Sequence, residues 1–397
     1  MPRRLRIGID GTCLGSGRGY GRFLRELLPP LLGQAGSHEY VLFVDAETAA
    51  RVTLPDMPVL RLETTASQAA AASARGSRSP LDLLRMGRGV ARERLDAFYF
   101  PSIYSYFPLP RRLPMAVAIH DTIPERHGKI VFPSWKNRAL WWAKSRAARL
   151  QARTIVTVSE YARRQIAETF AIPAQRIFVT PEAPSPVFSP VADARAAAAK
   201  ALAARGIPDD PFFVYVGGFN PHKNVTGLVR AFAAASAGTR ARLVLVGDYQ
   251  GDVFHHDLAN IHAEIARTGV SERVHWTGFV PDEELRLLYA GALAAVLPAF
   301  EEGFGLPAVE AAACGTPCIA TRESPLPEVL AGGGFFFDPH DAAQLAEGLR
   351  RALTAPAERA GWARAARERA ALLSWDLTAR ATREALEATA SPAAEPR

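Results

Sequence analysis

Two carboxylates bracket a glycine-containing turn in the second half of the chain. Glu302 and Glu310 are separated by seven residues and enclose the sequence Gly-Phe-Gly-Leu-Pro. An apolar run at 292–298 predicts a buried strand before the turn, while Pro307 at the first helical position and Gly315 predict the two ends of a helix after it. Unpaired amides at a helix start favour phosphate, and carboxylates accept hydrogen bonds from sugar hydroxyls. The segment predicts a site for a phosphorylated, hydroxyl-bearing ligand, although two solvated glutamates stabilised by the helix dipole would give the same pattern.

The same order of strand, glycine turn and helix occurs twice more. The first predicted strand ends at Asp10, and the glycine-rich segment 15–23 then opens an amphipathic helix. Such a loop suits an anion or a close backbone approach, and it also serves as a plain turn. The strand predicted at 212–216 leads into a turn at 217–224. Lys223 in that turn can neutralise phosphate oxygens.

Further apolar runs alternate with helical patterns along the chain. They predict strands at 40–44, 96–101, 115–119, 154–158, 177–180, 243–246, 274–278 and 318–320. The alternation predicts an α/β protein with two Rossmann-like doubly wound domains, which bind ligands beyond the carboxyl ends of their strands. The proline-rich segment 181–190 marks the boundary between the domains. Asp282 is predicted to cap the helix that follows it.

The block from Phe300 to Cys318 resembles the signature of glycosyltransferase family 4, whose members are retaining nucleotide-sugar transferases with two Rossmann-like domains facing a cleft, the GT-B fold. The segments Asp-Gly-Thr-Cys-Leu-Gly from Asp10 and His-Asp-Thr-Ile-Pro from His120 resemble mannosyltransferase-like members that build surface polysaccharide. The resemblance implies transfer of a hexose from a nucleotide-sugar, with GDP-mannose favoured, to a hydroxyl of a glycan or lipid-linked glycan. With the proline-rich boundary, the domains are expected at 1–185 and 186–372, and the fold implies a helix at 373–390 that crosses back to the first domain. The Pro- and Ala-rich tail at 391–397 is expected to be disordered.

The resemblance assigns roles to individual residues. As catalytic residues, His120 contacts the donor sugar near the reacting carbon, Glu302 holds that sugar, and Lys223 grips the diphosphate. Glu310 binds the ribose. The implied donor-binding residues are Gly217, Gly218, Lys223, Phe279, Val280, Glu302, Gly303, Phe304, Gly305, Leu306 and Glu310, with Phe279 and Val280 along the nucleobase. The implied acceptor or cleft-loop residues are Asp10, Gly19, Gly21, Arg22 and Asp121.

The turn around Lys223 departs from the family pattern. Many members carry an arginine after the first glycine or before the lysine, where this chain has Gly218 and His222. The diphosphate clamp is therefore weaker in this chain, or it is completed by His222 or by an arginine from elsewhere.

Composition limits the other classes of function. The chain has 397 residues, a net charge of +7 and three cysteines, and it shows neither a metal-ligand pattern nor a segment of the length that spans a membrane. We therefore expect a cytoplasmic protein without a cofactor, a metal or a nucleic-acid partner, with a possible peripheral contact at the inner membrane face. The predicted helix 135–149 combines tryptophans with bases, which fits either an interfacial helix or a packed helix with a solvated face. Cys314 and Cys318 are expected to be small buried residues.

Other functions remain compatible with the pattern. The same reaction with a UDP- or dTDP-sugar, a sugar-nucleotide epimerase of similar fold, and a catalytically silent nucleotide-binding subunit all use such turns. A nicotinamide dehydrogenase is disfavoured because the glycine loops lack the Gly-x-Gly-x-x-Gly pattern with an acidic residue about twenty positions on.

Overall fold

The computed structural model describes residues 3–16, 19–34, 36, 38–64, 79–132, 134–248 and 257–391. These residues form two compact units. The first contains the chain up to Gly128, residues 132–182 and the chain from Trp375 onward, and the second contains residues 129–131 and 183–374. The division falls between Glu182 and Ala183, within the proline-rich segment.

The first unit is built on a seven-stranded parallel sheet. Its strands are β1 Arg6–Asp10, β2 Glu39–Asp45, β3 Val59–Leu62, β4 Ala97–Phe100, β5 Met115–Ala118, β6 Thr154–Thr157 and β7 Ile177–Val179, in the spatial order β3-β2-β1-β4-β5-β6-β7. Nearly every strand residue is buried, because helices cover both faces of a parallel sheet. Phe98 of β4 packs against the rings of Phe43, Phe100 and Phe107, which lie in the core of this unit.

In the part of the chain that the structure describes, seven helices precede the end of the first sheet. They are α1 Gly19–Gly33, α2 Ala46–Arg51, α3 Pro80–Ala91, α4 Ile123–Arg126, α5 Gly128–Val131, α6 Trp135–Gln151 and α7 Glu160–Phe170. Side-chain caps begin three of them: Asp45 accepts from the Thr48 amide at α2, Ser134 from the Asn137 amide at α6, and Ser159 from the Ala162 amide at α7.

The second unit contains a six-stranded parallel sheet. Its strands are β8 Phe212–Val216, β9 Arg242–Val246, β10 Val274–Gly278, β11 Ala295–Leu297, β12 Cys318–Thr321 and β13 Gly334–Phe337, in the order β10-β9-β8-β11-β12-β13. The helices are α8 Ala194–Ala203, α9 Val225–Ala235, α10 Leu258–Thr268, α11 Asp282–Gly291, α12 Leu306–Ala313, α13 Leu326–Val329, α14 Ala342–Thr354 and α15 Pro356–Ala370.

Both sheets are doubly wound, and the winding reverses at one place in each. The reversal lies between β1 and β4 in the first sheet and between β8 and β11 in the second. Loops that leave the carboxyl ends of the two strands at a reversal diverge and leave a crevice, which is where such sheets bind ligands. The prediction of two doubly wound α/β domains is confirmed.

The last helix, α16 Trp375–Ala390, belongs to the first unit although it follows the whole second unit in sequence. It packs against α1 and against β4 to β7. Its Thr378 hydroxyl donates to the carbonyl of Pro181, and Arg153 donates to the carbonyl of Thr389. These contacts bury Trp375, Ala379, Leu386 and several neighbouring residues of the helix.

Two predicted helix starts differ from the structure. Asp282 does not cap α11: Pro281 holds the capping position and Asp282 is the first residue inside the helix, where its charge still favours the N-terminal dipole. Pro307 is the second rather than the first residue of α12, because Gly305 is its N-cap.

Several predictions concern segments at the edge of the described chain. The segment 64–80, whose content of Ala, Ser, Gly and Arg predicts a low-complexity mobile surface loop or frayed helix, lies almost entirely outside the described residues, and so does the tail from 392 onward. Cys314 and Cys318 are buried as expected, and burial raises the pKa of their thiols to about 12. Cys13 is also buried, and none of the three forms a disulfide. Within the described ranges we find no helix that combines the length and hydropathy needed to cross a bilayer.

Candidate functional site

An ion pair lies at the winding reversal of the second sheet. Lys223 follows β8, and Glu302 follows β11. The Lys223 Nζ donates to the Glu302 Oε1 at 2.7 Å, and the two side chains are 23% and 13% exposed. Both charged groups therefore remain within reach of a ligand while they hold each other in place.

Backbone hydrogen bonds join the two loops that carry this pair. The Phe300 amide donates to the His222 carbonyl at 2.9 Å, and the Asn224 side-chain amide donates to the Pro298 carbonyl at 3.1 Å. Asn224 adopts the left-handed conformation that ends the short turn Pro221–Lys223. The loops are thus fastened together on both sides of Lys223.

The glycines after β8 allow a close approach of backbone segments. A Cβ atom on Gly247, which follows β9, would lie 2.1 Å from the Gly217 carbonyl oxygen. The Tyr215 hydroxyl donates to the carbonyl of Gly218. Gly217 and Gly218 therefore form a tightly packed turn beside the ion pair.

The start of α12 has a conformation that requires glycine. Gly305 has a φ of 86°, and a Cβ atom there would lie 2.8 Å from the Leu326 side chain. Leu306 is the first helical residue, while the Phe304 side chain is buried and anchors the turn that includes Gly303. The glycine brings the backbone amides of the helix start to the same loop as Glu302.

Glu310 lies inside α12 and is buried. The Tyr289 hydroxyl of α11 donates to the Glu310 Oε2 at 3.4 Å. The two predicted glutamates thus differ in environment, because Glu302 is partly exposed and paired with a lysine whereas Glu310 is packed between two helices.

The residues expected along the nucleobase have opposite exposures. Phe279 is 77% exposed, although it is a large aromatic side chain. Val280 is buried in a core cluster with Leu285 and Tyr289, so its side chain cannot contact a ligand and only its backbone is available. The Phe279 ring is therefore the available stacking surface of this segment.

His120 lies near the carboxyl end of the first sheet and is held from three sides. Its Nε2 donates to the carbonyl oxygen of Pro101, just after β4, at 2.9 Å. Its Nδ1 lies 3.5 Å from the Glu182 Oε1 after β7, and the Phe23 ring packs edge-on at 5.0 Å. The His120 side chain is still 18% exposed.

These neighbours favour the protonated form of His120. Burial lowers the pKa of His120, but the Glu182 carboxylate, the Pro101 carbonyl and the Asp121 charge raise it, and the net effect is a pKa above the ordinary value. Both ring nitrogens face acceptors, as an imidazolium requires. Sequence reasoning missed Glu182, which it treated as part of the linker; its place just after a predicted strand was the available signal.

The remaining predicted residues of the first unit shape its loops. Asp10 is buried, and its Oδ1 accepts from the Thr12 amide and hydroxyl, while Asp121 accepts from the Ile123 amide at the start of α4. A Cβ atom on Gly21 would lie 2.2 Å from the Ser16 carbonyl oxygen, which makes this glycine a close-approach residue. In the first turn of α1, Gly19 is exposed and Arg22 is half-buried.

The predicted site residues thus form two separate groups. The structure brings Lys223 and Glu302 together in the second unit, with Gly217, Gly218 and Gly303 to Leu306 in the same loops. His120 and Asp121 lie together in the first unit. Among the residues that the structure describes, no group of three or more His, Cys, Asp or Glu side chains is arranged to hold a metal ion.

Two family models match consecutive parts of the chain. Residues 21–183 match the model described as Glycosyltransferase Family 4, and residues 200–369 match the model described as Glycosyl transferases group 1. The first match covers β2 to β7 of the first sheet, and the second covers all six strands of the second sheet.

Sequence relatives are glycosyltransferases of bacteria. O-antigen chain mannosyltransferase B of Escherichia coli is 35% identical over 243 residues, which are 59% of this chain and 60% of that protein. The D-inositol 3-phosphate glycosyltransferase of Mycobacterium avium (strain 104) is 31% identical over 318 residues, covering 75% of this chain and 72% of that protein. A Nocardioides protein of the same description is 36% identical, and its match covers 46% of this chain and only 43% of that protein.

Solved structures share the fold at low sequence identity. Sucrose-phosphate synthase from Thermosynechococcus elongatus has a TM-score of 0.72 and 22% identity, covering 96% of this chain and 98% of that one. Anabaena HepE in complex with UDP and glucose has a TM-score of 0.74 and 18% identity, covering 97% and 100%. The doubly wound sheets, the glycine turn before α12 and the relatives together establish that this chain belongs to glycosyltransferase family 4 and has its GT-B fold.

Proposed function

We propose that the chain is a retaining glycosyltransferase that moves a hexose, with mannose from GDP-mannose favoured, to a hydroxyl of a glycan or lipid-linked glycan in surface polysaccharide synthesis. The observation that carries this proposal is the ion pair of Lys223 and Glu302 at the winding reversal of the second sheet. A cation suited to a diphosphate and a carboxylate suited to sugar hydroxyls stand side by side, next to a glycine turn that opens a helix.

The departing nucleoside diphosphate is the group that most needs stabilisation in such a transfer. Lys223 supplies a full positive charge, and the backbone amides at the start of α12 supply partial positive charge in a fixed position. Because these groups are held before a ligand arrives, they cost little reorganisation when negative charge develops on the leaving group. Glu302 orients the donor sugar through its hydroxyls.

His120 is proposed to contact the donor sugar close to the reacting carbon. Held by Glu182 and the Pro101 carbonyl, its ring presents a rigid, partly exposed edge. We carry over from the family a front-face attack in which the leaving phosphate takes the proton of the acceptor hydroxyl. The bond from the anomeric carbon to the phosphate oxygen breaks, and a bond to the acceptor oxygen forms on the same face.

The choice of donor rests on the relatives. The first of them is described as an O-antigen chain mannosyltransferase, which favours mannose and surface polysaccharide. Others are described as D-inositol 3-phosphate glycosyltransferases, and HepE has been solved with UDP-glucose, so a UDP-sugar is the second candidate.

Thermal melting of the protein with GDP, UDP, dTDP and ADP tests the proposal. A ligand that binds only the folded state raises the melting temperature, so the largest rise names the donor base. We expect GDP to give that rise and GDP-mannose to be consumed when an acceptor is present. If UDP or dTDP gives it, the reaction class stands and the donor sugar changes.

Two outcomes would replace the proposal. Nucleotide binding without turnover of any matching sugar nucleotide would make the chain a catalytically silent subunit. Exchange of hydrogen from solvent into the sugar nucleotide, without any acceptor, would make it an epimerase. No rise with any nucleotide would contradict nucleotide binding altogether.

A further inference from the structure

The outward face of α6 is unusually apolar for an exposed helix. Trp135, Leu140, Trp142 and Leu150 are 71%, 68%, 59% and 70% exposed. The other exposed residues of this helix are three alanines and three bases, namely Lys136, Arg138, Ala139, Ala143, Arg146 and Ala147. The helix contains no acidic residue. We call these ten residues the outer face of α6.

The opposite face of α6 holds the helix to the first unit. The Trp141 Nε1 donates to the Glu125 Oε1 at 2.8 Å, and the Trp141 ring lies 4.7 Å from that of Tyr104. The Ser145 hydroxyl donates to the same Glu125 oxygen at 3.0 Å, and Ala148 is buried in the core. Folding therefore relies on the inner face, and the exposed tryptophans are not needed to dock the helix.

The bases of α6 divide between the two faces. Lys144 turns inward and donates to the Tyr104 carbonyl at 2.5 Å, and the Arg149 guanidinium lies 3.8 Å from the Phe170 ring centroid. Lys136, Arg138 and Arg146 remain exposed, and within the described ranges none of them has a carboxylate partner. The structure thus separates the bases that the sequence alone distributes around the helix.

The outer bases lie among the outer tryptophans. The Arg146 guanidinium is 5.7 Å from the Trp142 ring and the Lys136 Nζ is 6.0 Å from the Trp135 ring. Tryptophan prefers the boundary between lipid headgroups and acyl chains, where its ring is apolar and its N–H is hydrated. Lysine and arginine beside it bind anionic headgroups.

We propose that the outer face of α6 docks the first unit on an anionic lipid surface. The charge of this face is purely positive, which complements phosphate headgroups, and its large apolar side chains are exposed on one continuous helix surface. The alanines between them let the helix lie close to the surface without a polar group being forced into it. This inference rests on α6 alone and is independent of the nucleotide-sugar chemistry.

Vesicle sedimentation with the full chain tests the inference. We expect the protein to sediment with phosphatidylcholine vesicles that contain phosphatidylglycerol, to bind pure phosphatidylcholine far less, and to be released by salt. Replacing Lys136, Arg138 and Arg146 together by glutamine should weaken partitioning by about 100-fold, since each base near an anionic surface contributes about fivefold. Trp135→Ser with Trp142→Ser should remove the blue shift of tryptophan emission on binding.

Matched control variants test whether vesicle binding depends on the outer face of α6 or only on the net positive charge of the protein. The exposed bases Lys200, Arg364 and Arg367 of the second unit, replaced together by glutamine, remove the same charge, and Leu372→Ser removes an exposed apolar residue there. These variants should bind vesicles like the wild type. Melting temperatures, and their rise with the nucleotide, show that every variant is folded and still binds its ligand.

Three results would overturn the proposal. The first is absence of binding to phosphatidylglycerol vesicles, and the second is equal loss of binding in the α6 and control variants. The third is concentration-dependent self-association that the Trp135→Ser, Trp142→Ser variant abolishes, with no vesicle binding; that result would assign the face to a second copy of the chain. None of these results bears on the proposed transfer reaction, whose test is nucleotide binding and turnover.

Discussion

Replacement of Glu302 by glutamine should have opposite effects on the two proposed functions of the donor site, diphosphate binding and sugar transfer. The variant keeps the shape of the side chain but removes the negative charge that now lies 2.7 Å from the Lys223 Nζ. Lys223 then has no competing counter-charge when a diphosphate arrives. We therefore expect the nucleoside diphosphate to bind more tightly to Glu302→Gln, whereas transfer of the sugar becomes slower because its hydroxyls lose a charged acceptor.

The size of the effect follows from the geometry of the pair. A charged hydrogen bond contributes about 1.5–3 kcal/mol when buried, and water reduces this for side chains that are 23% and 13% exposed. If the loss of this ion pair makes about 1 kcal/mol available for diphosphate binding, the diphosphate binds about fivefold more tightly. Lys223→Gln should instead weaken diphosphate binding by about 10- to 100-fold, because the substitution removes one charged contact with the ligand.

Isothermal titration with the nucleoside diphosphate that most raises the melting temperature measures these affinities, and initial rates with the matching sugar nucleotide measure transfer. The double variant of Lys223 and Glu302 closes a mutant cycle, in which a coupling of about 1 kcal/mol is expected. Glu347→Gln is the matched control, since it breaks an exposed glutamate–arginine pair of the same unit on α14.

Two results would refute this reasoning. If Glu302→Gln binds the diphosphate more weakly, the carboxylate supports the ligand instead of competing for Lys223. If Lys223→Gln leaves the affinity unchanged, Lys223 is not the diphosphate contact and the site lies elsewhere.

The other predictions test single positions. Burial lowers the pKa of His120, but Glu182 and the Pro101 carbonyl raise it overall, so the stability that this pairing contributes is present below about pH 6.5 and disappears as the pH rises through the folded pKa. The melting temperature of Glu182→Gln should therefore be lower than that of the wild type at acidic pH, and the difference should shrink as the pH is raised. A difference that does not change with pH would mean that the pair is not ionised. Phe279→Ala should leave the melting temperature nearly unchanged because the ring is exposed, but it should weaken nucleotide binding by about 1 kcal/mol or more because base stacking is lost. An unaltered nucleotide affinity would show that Phe279 does not contact the base. Glu310→Ala should weaken donor binding by about 1.5–3 kcal/mol if the carboxylate binds the ribose, which titration with the nucleotide measures against Glu310→Gln. Gly21→Ala should lower the free energy of unfolding by about 1–3 kcal/mol, because the added Cβ would lie 2.2 Å from the Ser16 carbonyl oxygen. Denaturant unfolding measures this loss, and a midpoint equal to that of the wild type would contradict the close packing.

Most strands of the two sheets were predictable because they appear as apolar runs bounded by glycine or proline. β8 and β10 have the predicted bounds, since a glycine turn follows Val216 and Gly278 ends β10. The edge strands β3 and β13 were missed. β3 carries an arginine within four residues, and β13 begins at a glycine, so neither shows a long apolar run.

Contacts across the sheet could not be read from the sequence. His120 and Glu182 are brought together by the order β4-β5-β6-β7, which places the ends of separate strands side by side. The Lys223–Glu302 pair arises in the same way from the neighbouring strands β8 and β11. Their residue types suggested the chemistry, but only the strand order establishes which charges meet.

Only tertiary packing determines which face of α6 is exposed. Its hydrophobic residues surround the helix in sequence, so periodicity alone leaves two interpretations open. The contacts of Trp141 and Lys144 with Glu125 and Tyr104 fix the inner face, and the outer tryptophans follow from that choice.

The position of α16 has a consequence for the order in which the protein matures on the ribosome. The strands β4 to β7 emerge early, yet the helix that covers them is synthesised only after all of residues 183–374. Apart from residues 129–131, the second unit is one contiguous segment, which can acquire its structure while the first is still incomplete. A chain that stops shortly before Trp375 would leave apolar strand surface uncovered, so a nonsense mutation there should yield an aggregation-prone product.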